Sequence, residues 1–145
     1  MKRSPIQSYL EKLHEQLLPL KGGTLASYIP ELAKVDPDQF AICLVTTDGV
    51  AYTVGDSEQP FTIQSISKAF VYAAALADRG QEYVGAKVGV EPSGDAFNSI
   101  SLHPQTGAPL NPMINAGAIA TTSLVGGETV EAQWARIHGA LSTFA

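Results

Sequence analysis

Residues 65–80 of the chain read SISKAFVYAAALADRG, a run rich in alanine and apolar on nearly every side. Alanine is the strongest helix former, and Gly80 is a natural residue to end a helix. A helix that lacks a polar face packs inside a domain rather than on its surface. The stretch therefore predicts a central, buried helix.

The residues before this stretch predict a helix and then two strands. Ser4-Pro5 is a suitable cap and first-turn pair for a helix that Pro19 ends, and Pro30 can open a second short helix. The runs FAICLVT and VAYTVG flank an Asp48-Gly49 turn, which predicts two antiparallel strands. The run PFTIQS, residues 60–65, predicts one more short extended piece.

The residues after it predict a long irregular region followed by two helices. Gly and Pro punctuate residues 85–112, where Gly94 can take a positive φ. INAGAIATTSLV is rich in small residues and suits a closely packed helix, whereas Trp134, Ile137, His138 and Leu141 predict a core stripe on a last helix. Strands followed by helices indicate an α+β or α/β layered fold.

Composition and charge exclude several classes of protein. With 145 residues, 45% of them hydrophobic, the chain fits one domain with a real core. A net charge of −5 with scattered basic residues disfavours nucleic acid as a partner. No apolar run reaches the ~20 residues of a membrane span, and the polar start lacks a signal-peptide core, so we expect a cytoplasmic protein.

The dispersed histidines predict no metal site, and the lone Cys43 predicts a small buried side chain without a disulfide.

Ser65 and Lys68 form an S-x-x-K pattern at the start of the predicted central helix. Residues three apart share a helical face, so their Oγ and Nζ atoms come within hydrogen-bond reach. A serine needs a base, and a lysine serves as one when burial favours its neutral amine, which the apolar residues after Lys68 make plausible. The helix start also offers free backbone N–H groups for a developing negative charge, among them the amide of Ser65.

S-x-x-K alone is a weak signal, because two fixed residues in four recur by chance. A simpler interpretation makes Ser65 an N-cap and Lys68 a solvated first-turn lysine. Longer strings decide between the two: SYIPELAK, GD before PFTIQSISK, EYVG, EPSG with FN shortly after, and NPMINAGAI. On these strings, from about Gly22 to about Val125, the chain resembles the serine-dependent glutaminase family.

The resemblance implies an amidohydrolase that converts L-glutamine to L-glutamate and ammonia and usually forms homo-oligomers. It implies an α+β layered fold similar to serine β-lactamases and penicillin-binding proteins. Nothing in the sequence calls for an organic cofactor or a metal. By motif, Ser65 is the nucleophile and Lys68 its proton-accepting partner, whereas Tyr28, Gln64 and Asn115 match substrate-binding residues. Without the resemblance, Tyr28 is equally a loop tyrosine, Gln64 a strand end and Asn115 a helix cap. EPSG and NPM are better explained as turns that shape nearby loops.

The resemblance also implies that residues 1–145 are the N-terminal part of a longer catalytic domain. Family members continue past NAGAI and supply there a tyrosine for the base, a second oxyanion donor, an acidic residue and further substrate contacts. We therefore expect the 145-residue chain alone to be nearly inactive. Two alternatives stay open: a penicillin-interacting serine hydrolase of the S-x-x-K class, whose other motifs do not occur here, and a non-catalytic fragment that acts in assembly.

Overall fold

The computed structural model describes residues 4–144, and the chain divides between Phe61 and Thr62 into two compact units. The first unit contains helix α1 (Pro5–Leu17) and strands β1 (Ala41–Val45) and β2 (Ala51–Gly55). The second contains helices α2 (Ser67–Arg79), α3 (Gln81–Gly85), α4 (Asn115–Leu124) and α5 (Val130–Phe144). Short 3-10 turns lie at Leu32–Lys34 and Gln64–Ile66. This content is α+β, as the sequence predicts.

Helix α1 begins and ends where the sequence places it. The Ser4 hydroxyl oxygen accepts a hydrogen bond from the Ile6 amide at 3.3 Å, which caps the first turn ahead of Pro5. Leu10, on the face toward the strands, is only 4% exposed. His14 stacks on Phe40 with ring centroids 4.9 Å apart. These contacts pack the helix against one face of the hairpin.

The two strands form the predicted antiparallel hairpin, with Ile42 opposite Val54 and Cys43 opposite Thr53. Gly49 in the turn has a φ of +82°, which glycine adopts without strain. The prediction that Cys43 is buried is wrong, because its side chain is exposed. Successive residues of a strand face opposite sides, and the neighbouring Ile42 is half-buried. Cys43 therefore lies on the other, exposed side of a two-stranded ribbon.

The helix expected after Pro30 is a single 3-10 turn, Leu32–Lys34. The amides of Leu32 and Ala33 both donate to the carbonyl of Ile29, at 3.0 and 3.1 Å. The prediction is thus confirmed for the position of a short helical segment, which is limited to one 3-10 turn.

Helix α2 lies at the centre of the second unit, in contact with α3, α4 and α5. Its inner face supplies Val71, Ala74 and Ala75 to a core completed by Val84, Val125, Ile137 and Ala140. Gly80, at a φ of +81°, ends the helix as predicted. Ala73 and Ala77 are exposed, so the burial follows one face rather than the full circumference.

The prediction of an extended piece at residues 60–65 is wrong for its last residues, from Ile63 onward. Ile63 is already helical, with φ −62° and ψ −27°, and its carbonyl accepts the amide of Ile66 at 3.1 Å. The Ser67 hydroxyl donates to the Gln64 carbonyl at 2.8 Å. Local turns satisfy these backbone groups, so the segment enters α2 through a 3-10 turn instead of a strand end.

The segment between α3 and α4 is irregular, as predicted, and Gly94 has a φ of +71°. Helix α4 packs closely on it, because a Cβ on Gly117 would lie 1.8 Å from the carbonyl oxygen of Asn111. Only a glycine fits there, which confirms the close packing predicted for this small-residue helix.

The stripe predicted on α5 is half wrong. Ile137 is buried and Leu141 half-buried, whereas Trp134 is 66% exposed and His138 is also exposed. Gln133 is half-buried on the same helical face as Ile137, and its Nε2 donates to the carbonyls of Val125 at 3.0 Å and Thr122 at 3.2 Å. The buried line consequently runs from Gln133 rather than from Trp134.

Candidate active site

The residue before Ser65 has an unusual backbone. Gln64 has a φ of +45° and is the one non-glycine residue at positive φ among residues 4–144. Such a conformation costs of order 1 kcal/mol or more for a side chain of this type, and it clusters at functional sites. The Gln64 side chain turns back, and its Nε2 donates to the Thr62 hydroxyl at 3.0 Å.

Ser65 is the middle residue of the 3-10 turn Gln64–Ile66, two residues before α2 begins at Ser67, and it is exposed. Within the described part of the chain, no acceptor takes its amide hydrogen, since the turn bonds start from Ile66 and Ser67. A free amide beside a serine hydroxyl is the arrangement that an oxyanion donor requires. The Ser65 amide is thus available for the role predicted for it.

Lys68 lies one turn into the helical segment, and its half-buried side chain extends toward α4. Its Nζ donates to Asn115 Oδ1 at 2.7 Å and to the main-chain carbonyl of Met113 at 2.9 Å. The ring of Phe97 lies below, with its centroid 5.9 Å from Nζ, at the outer limit of a cation–π contact. The structure therefore brings Lys68 and Asn115 together, 47 residues apart in sequence.

No hydrogen bond joins Ser65 to Lys68 among residues 4–144, although both lie on the same turn. Two donated bonds occupy two of the three free positions on Nζ. The third carries an N–H in the ammonium form and a lone pair in the neutral amine. The lysine is thus held by α4 and keeps one position that can exchange a proton.

Asn115 is the first residue of α4, and its side chain does not cap the helix. Its Oδ1 faces Lys68, and its Nδ2 has no acceptor in the described part of the chain. The simple interpretation of Asn115 as a cap is therefore wrong. Because carboxamide donors and acceptors lie on opposite atoms, this orientation presents Nδ2 to an incoming oxygen.

Tyr28 belongs to the first unit, where it lies in a turn and is 76% exposed. Its assignment to the substrate site stays a prediction. No group of His, Cys, Asp and Glu within residues 4–144 is suited to hold a metal ion. None of the helices formed by these residues is long and apolar enough to cross a membrane.

The sequence did not indicate two partners of Lys68. The Met113 carbonyl is a main-chain group, which every residue possesses, so no residue type could have marked it. Phe97 lies in the FN string, where the aromatic ring next to a polar loop was the only available signal.

Comparison with known proteins decides the family. The family model described as Glutaminase matches residues 23–145, which is most of the chain. The chain belongs to the glutaminase family. The match includes the strand pair, the Ser65 turn, Lys68 and Asn115.

Individual relatives show how much of a glutaminase the chain represents. It is 54% identical to a glutaminase of Microcystis aeruginosa over 133 aligned residues, and the alignment covers 92% of this chain and 39% of that protein. A crystal structure of Mglu in its glutamate form superposes with a TM-score of 0.89 at 46% identity, covering 98% of this chain and 33% of Mglu. A probable glutaminase from Bacillus subtilis, complexed with 6-diazo-5-oxo-L-norleucine, gives 0.81 at 34% identity, covering 99% and 43%. The chain thus spans 39% of the Microcystis aeruginosa glutaminase and 33% of Mglu.

Proposed function

We propose that the chain is the N-terminal, nucleophile-bearing part of a glutaminase catalytic domain that hydrolyses L-glutamine to L-glutamate and ammonia. The observation that carries this proposal is the clamp on Lys68, whose amine is held by Asn115 and the Met113 carbonyl one turn from Ser65. A solvated surface lysine has no such pair of partners, whereas a base that must exchange protons with Ser65 needs a fixed position.

In the proposed reaction, the Oγ of Ser65 attacks the side-chain amide carbon of glutamine. Its proton passes to the neutral amine of Lys68 and from there to the departing nitrogen, which leaves as ammonia. Water then attacks the resulting γ-glutamyl ester, which restores the serine hydroxyl and releases glutamate. The free amide of Ser65 would stabilise the oxyanion in both steps.

Substrate binding is proposed for Tyr28, Gln64 and Asn115, together with Ser65. The free Nδ2 of Asn115 supports its part, since it can donate to a substrate oxygen while Oδ1 holds Lys68. Gln64 would release Thr62 to contact the substrate. A phenol and two carboxamides bind a polar amino acid without adding net charge.

The remaining features of the complete enzyme belong to the same proposal. They are a layered fold similar to serine β-lactamases, a cytoplasmic location and a homo-oligomeric state. We also propose that the 145-residue chain alone has little activity, because the family supplies further catalytic groups from residues that this chain does not contain.

The test replaces the matched 133-residue segment of the Microcystis aeruginosa glutaminase with the corresponding residues of this chain, giving a protein that we call the exchanged glutaminase. Ammonia release from glutamine is then measured for this protein and for its Ser65→Ala variant. We expect activity that falls at least about 1000-fold in the variant. Full activity of Ser65→Ala would contradict the mechanism.

Two rival functions give different results. Covalent labelling of Ser65 by a penicillin, without ammonia release from glutamine, would favour a penicillin-interacting hydrolase. Glutamine turnover by the purified 145-residue chain that Lys68→Ala abolishes would exclude a purely non-catalytic assembly role.

A further inference from the structure

Asn111 has no part in the reaction described above, yet its side chain binds three main-chain groups. Oδ1 accepts the amides of Met113 at 3.0 Å and Ile114 at 3.2 Å, and Nδ2 donates to the carbonyl of Glu91 at 3.0 Å. We propose that Asn111 is a positioning residue for Lys68, an inference that rests on the proposed function of that lysine.

The geometry of one peptide group connects Asn111 to Lys68. The carbonyl of Met113 and the amide of Ile114 belong to the same planar, trans peptide, so they point in opposite directions. Asn111 binds the amide end of this peptide, and Lys68 Nζ binds the carbonyl end. Fixing the amide therefore aims the carbonyl at the lysine.

Asn111 itself is held from two sides. Its carbonyl oxygen rests against α4 at Gly117, where a Cβ would come within 1.8 Å. Upstream, residues 89–91 run alongside residues 109–110, with the amide of Gly89 on Pro109 at 2.8 Å and that of Glu91 on Leu110 at 3.0 Å. The side chain is thus placed by its surroundings and is not a free surface amide.

Removing the Asn111 side chain has different effects if the residue is only a helix cap and if it also positions Lys68. The N-cap residue Ile114 offers no side-chain bond, so Asn111 satisfies part of the start of α4. A cap alone would change only the stability of the helix. A positioning residue, when removed, also releases the amine of Lys68 from the Met113 carbonyl.

Competitive acetylation of the 145-residue chain with a limiting amount of acetic anhydride separates these roles. Peptide mass spectrometry gives the rate at Lys68 relative to Lys87, an exposed lysine of the same chain. We expect Asn111→Ala to raise this ratio about fivefold, the equivalent of one lost hydrogen bond of about 1 kcal/mol. Asn111→Asp keeps an oxygen that accepts both amides and loses the donation to Glu91, and its negative charge favours protonated Lys68, so it should not raise the ratio.

Circular dichroism confirms that each variant is folded at the temperature of the assay. A folded Asn111→Ala with an unchanged ratio would overturn the proposal, as would an Asn111→Asp that exposes Lys68. If Asn111→Ala does not fold, Asn111→Asp decides: a ratio that does not rise supports the proposal, and a raised ratio overturns it. Acetylation requires no glutamine chemistry, so failure of the exchanged glutaminase to release ammonia would reject the proposed function and leave this result standing.

Discussion

Lys68 Nζ lies 2.7 Å from Asn115 Oδ1, which ties the start of α2 to the first residue of α4. The amide of Asn115 accepts from the amine without adding a charge at this position. A carboxylate would instead favour an ammonium group, which cannot act as the base that we propose.

Asn115→Asp tests this relationship in the exchanged glutaminase. Because the carboxylate favours protonated Lys68, we expect ammonia release at pH 7 to fall at least about 10-fold. The rate should recover in part as the pH rises and the amine loses its proton. Asn115→Ala, the control, lacks both the charge and the contact and should stay low at every pH. An unchanged pH profile in Asn115→Asp would show that the 2.7 Å contact does not govern the lysine.

Gln64→Gly separates strain from substrate binding. Glycine adopts the φ of +45° without cost, so the free energy of unfolding should stay equal or rise by up to about 1 kcal/mol. Ammonia release by the exchanged glutaminase should nevertheless fall, since the carboxamide is lost. Chemical denaturation and the ammonia assay measure the two quantities. Undiminished ammonia release would remove Gln64 from the substrate site.

Gly117→Ala should destabilise the second unit. Its new Cβ would collide with the Asn111 carbonyl at 1.8 Å, and overpacking of this kind costs about 1–3 kcal/mol. Gly139→Ala is the matched control on α5, because its Cβ would meet nothing within 4 Å. That control should gain about 0.5–1 kcal/mol from the better helix propensity of alanine. Equal unfolding midpoints for the two variants would contradict the packing described at Gly117.

Thr121→Val should stabilise the chain. The Thr121 hydroxyl is buried and has no hydrogen-bond partner among the described residues, so valine removes an unsatisfied group while keeping the shape. We expect a gain of about 1 kcal/mol in the free energy of unfolding. The neighbouring exposed Thr122 donates to the Ala118 carbonyl at 2.8 Å, and Thr122→Val should change stability by no more than about 0.5 kcal/mol. Destabilisation by Thr121→Val would indicate a bound partner for that hydroxyl.

Asp78 gives the stability of the second unit a dependence on acid. The hydrogen bonds of Arg136, followed by the Gly126 amide, lower the pKa of Asp78 below its ordinary value. Because the folded-state pKa is lowered, the ionised carboxylate stabilises the fold at pH values above its ordinary pKa of about 3.9. This stabilisation is lost as the pH falls through the folded-state pKa. Asp78→Asn should therefore lower the melting temperature at pH 7 by about 4 °C or more, with a smaller difference at pH 3.

Asp38→Asn is the control for this experiment. Asp38 pairs with Lys21 at 2.6 Å, but both side chains are largely exposed, and exposed pairs contribute little. Asp38→Asn should change the melting temperature by much less than Asp78→Asn does, at both pH 3 and pH 7. A loss in Asp78→Asn that is the same at pH 3 and pH 7 would show that the ionised carboxylate is not the source.

The sequence predicted what depends on neighbouring residues. Helix α1, the hairpin at Asp48-Gly49 and the end of α2 at Gly80 each carry a local signal, and each is confirmed. Ser65 and Lys68 share one turn, so their proximity to the same helix start also followed from spacing.

What the sequence could not predict depends on distant partners. The acceptors of Lys68 lie 45 and 47 residues away, and one of them is a main-chain carbonyl. The burial of Cys43 and Trp134 was wrong for a related reason, since an apolar pattern does not say which face another element covers. Gln64 took its φ from the turn into α2, where a local pattern indicated an extended chain.

The central claim is that Ser65 forms an acyl-enzyme with the side chain of glutamine. The most direct measurement is rapid acid quenching of the exchanged glutaminase during turnover, followed by mass spectrometry of the peptide that contains Ser65. The account predicts a mass increase of one γ-glutamyl group on Ser65, absent from Ser65→Ala. Ammonia release at full rate without this adduct, and unaffected by Ser65→Ala, would contradict it.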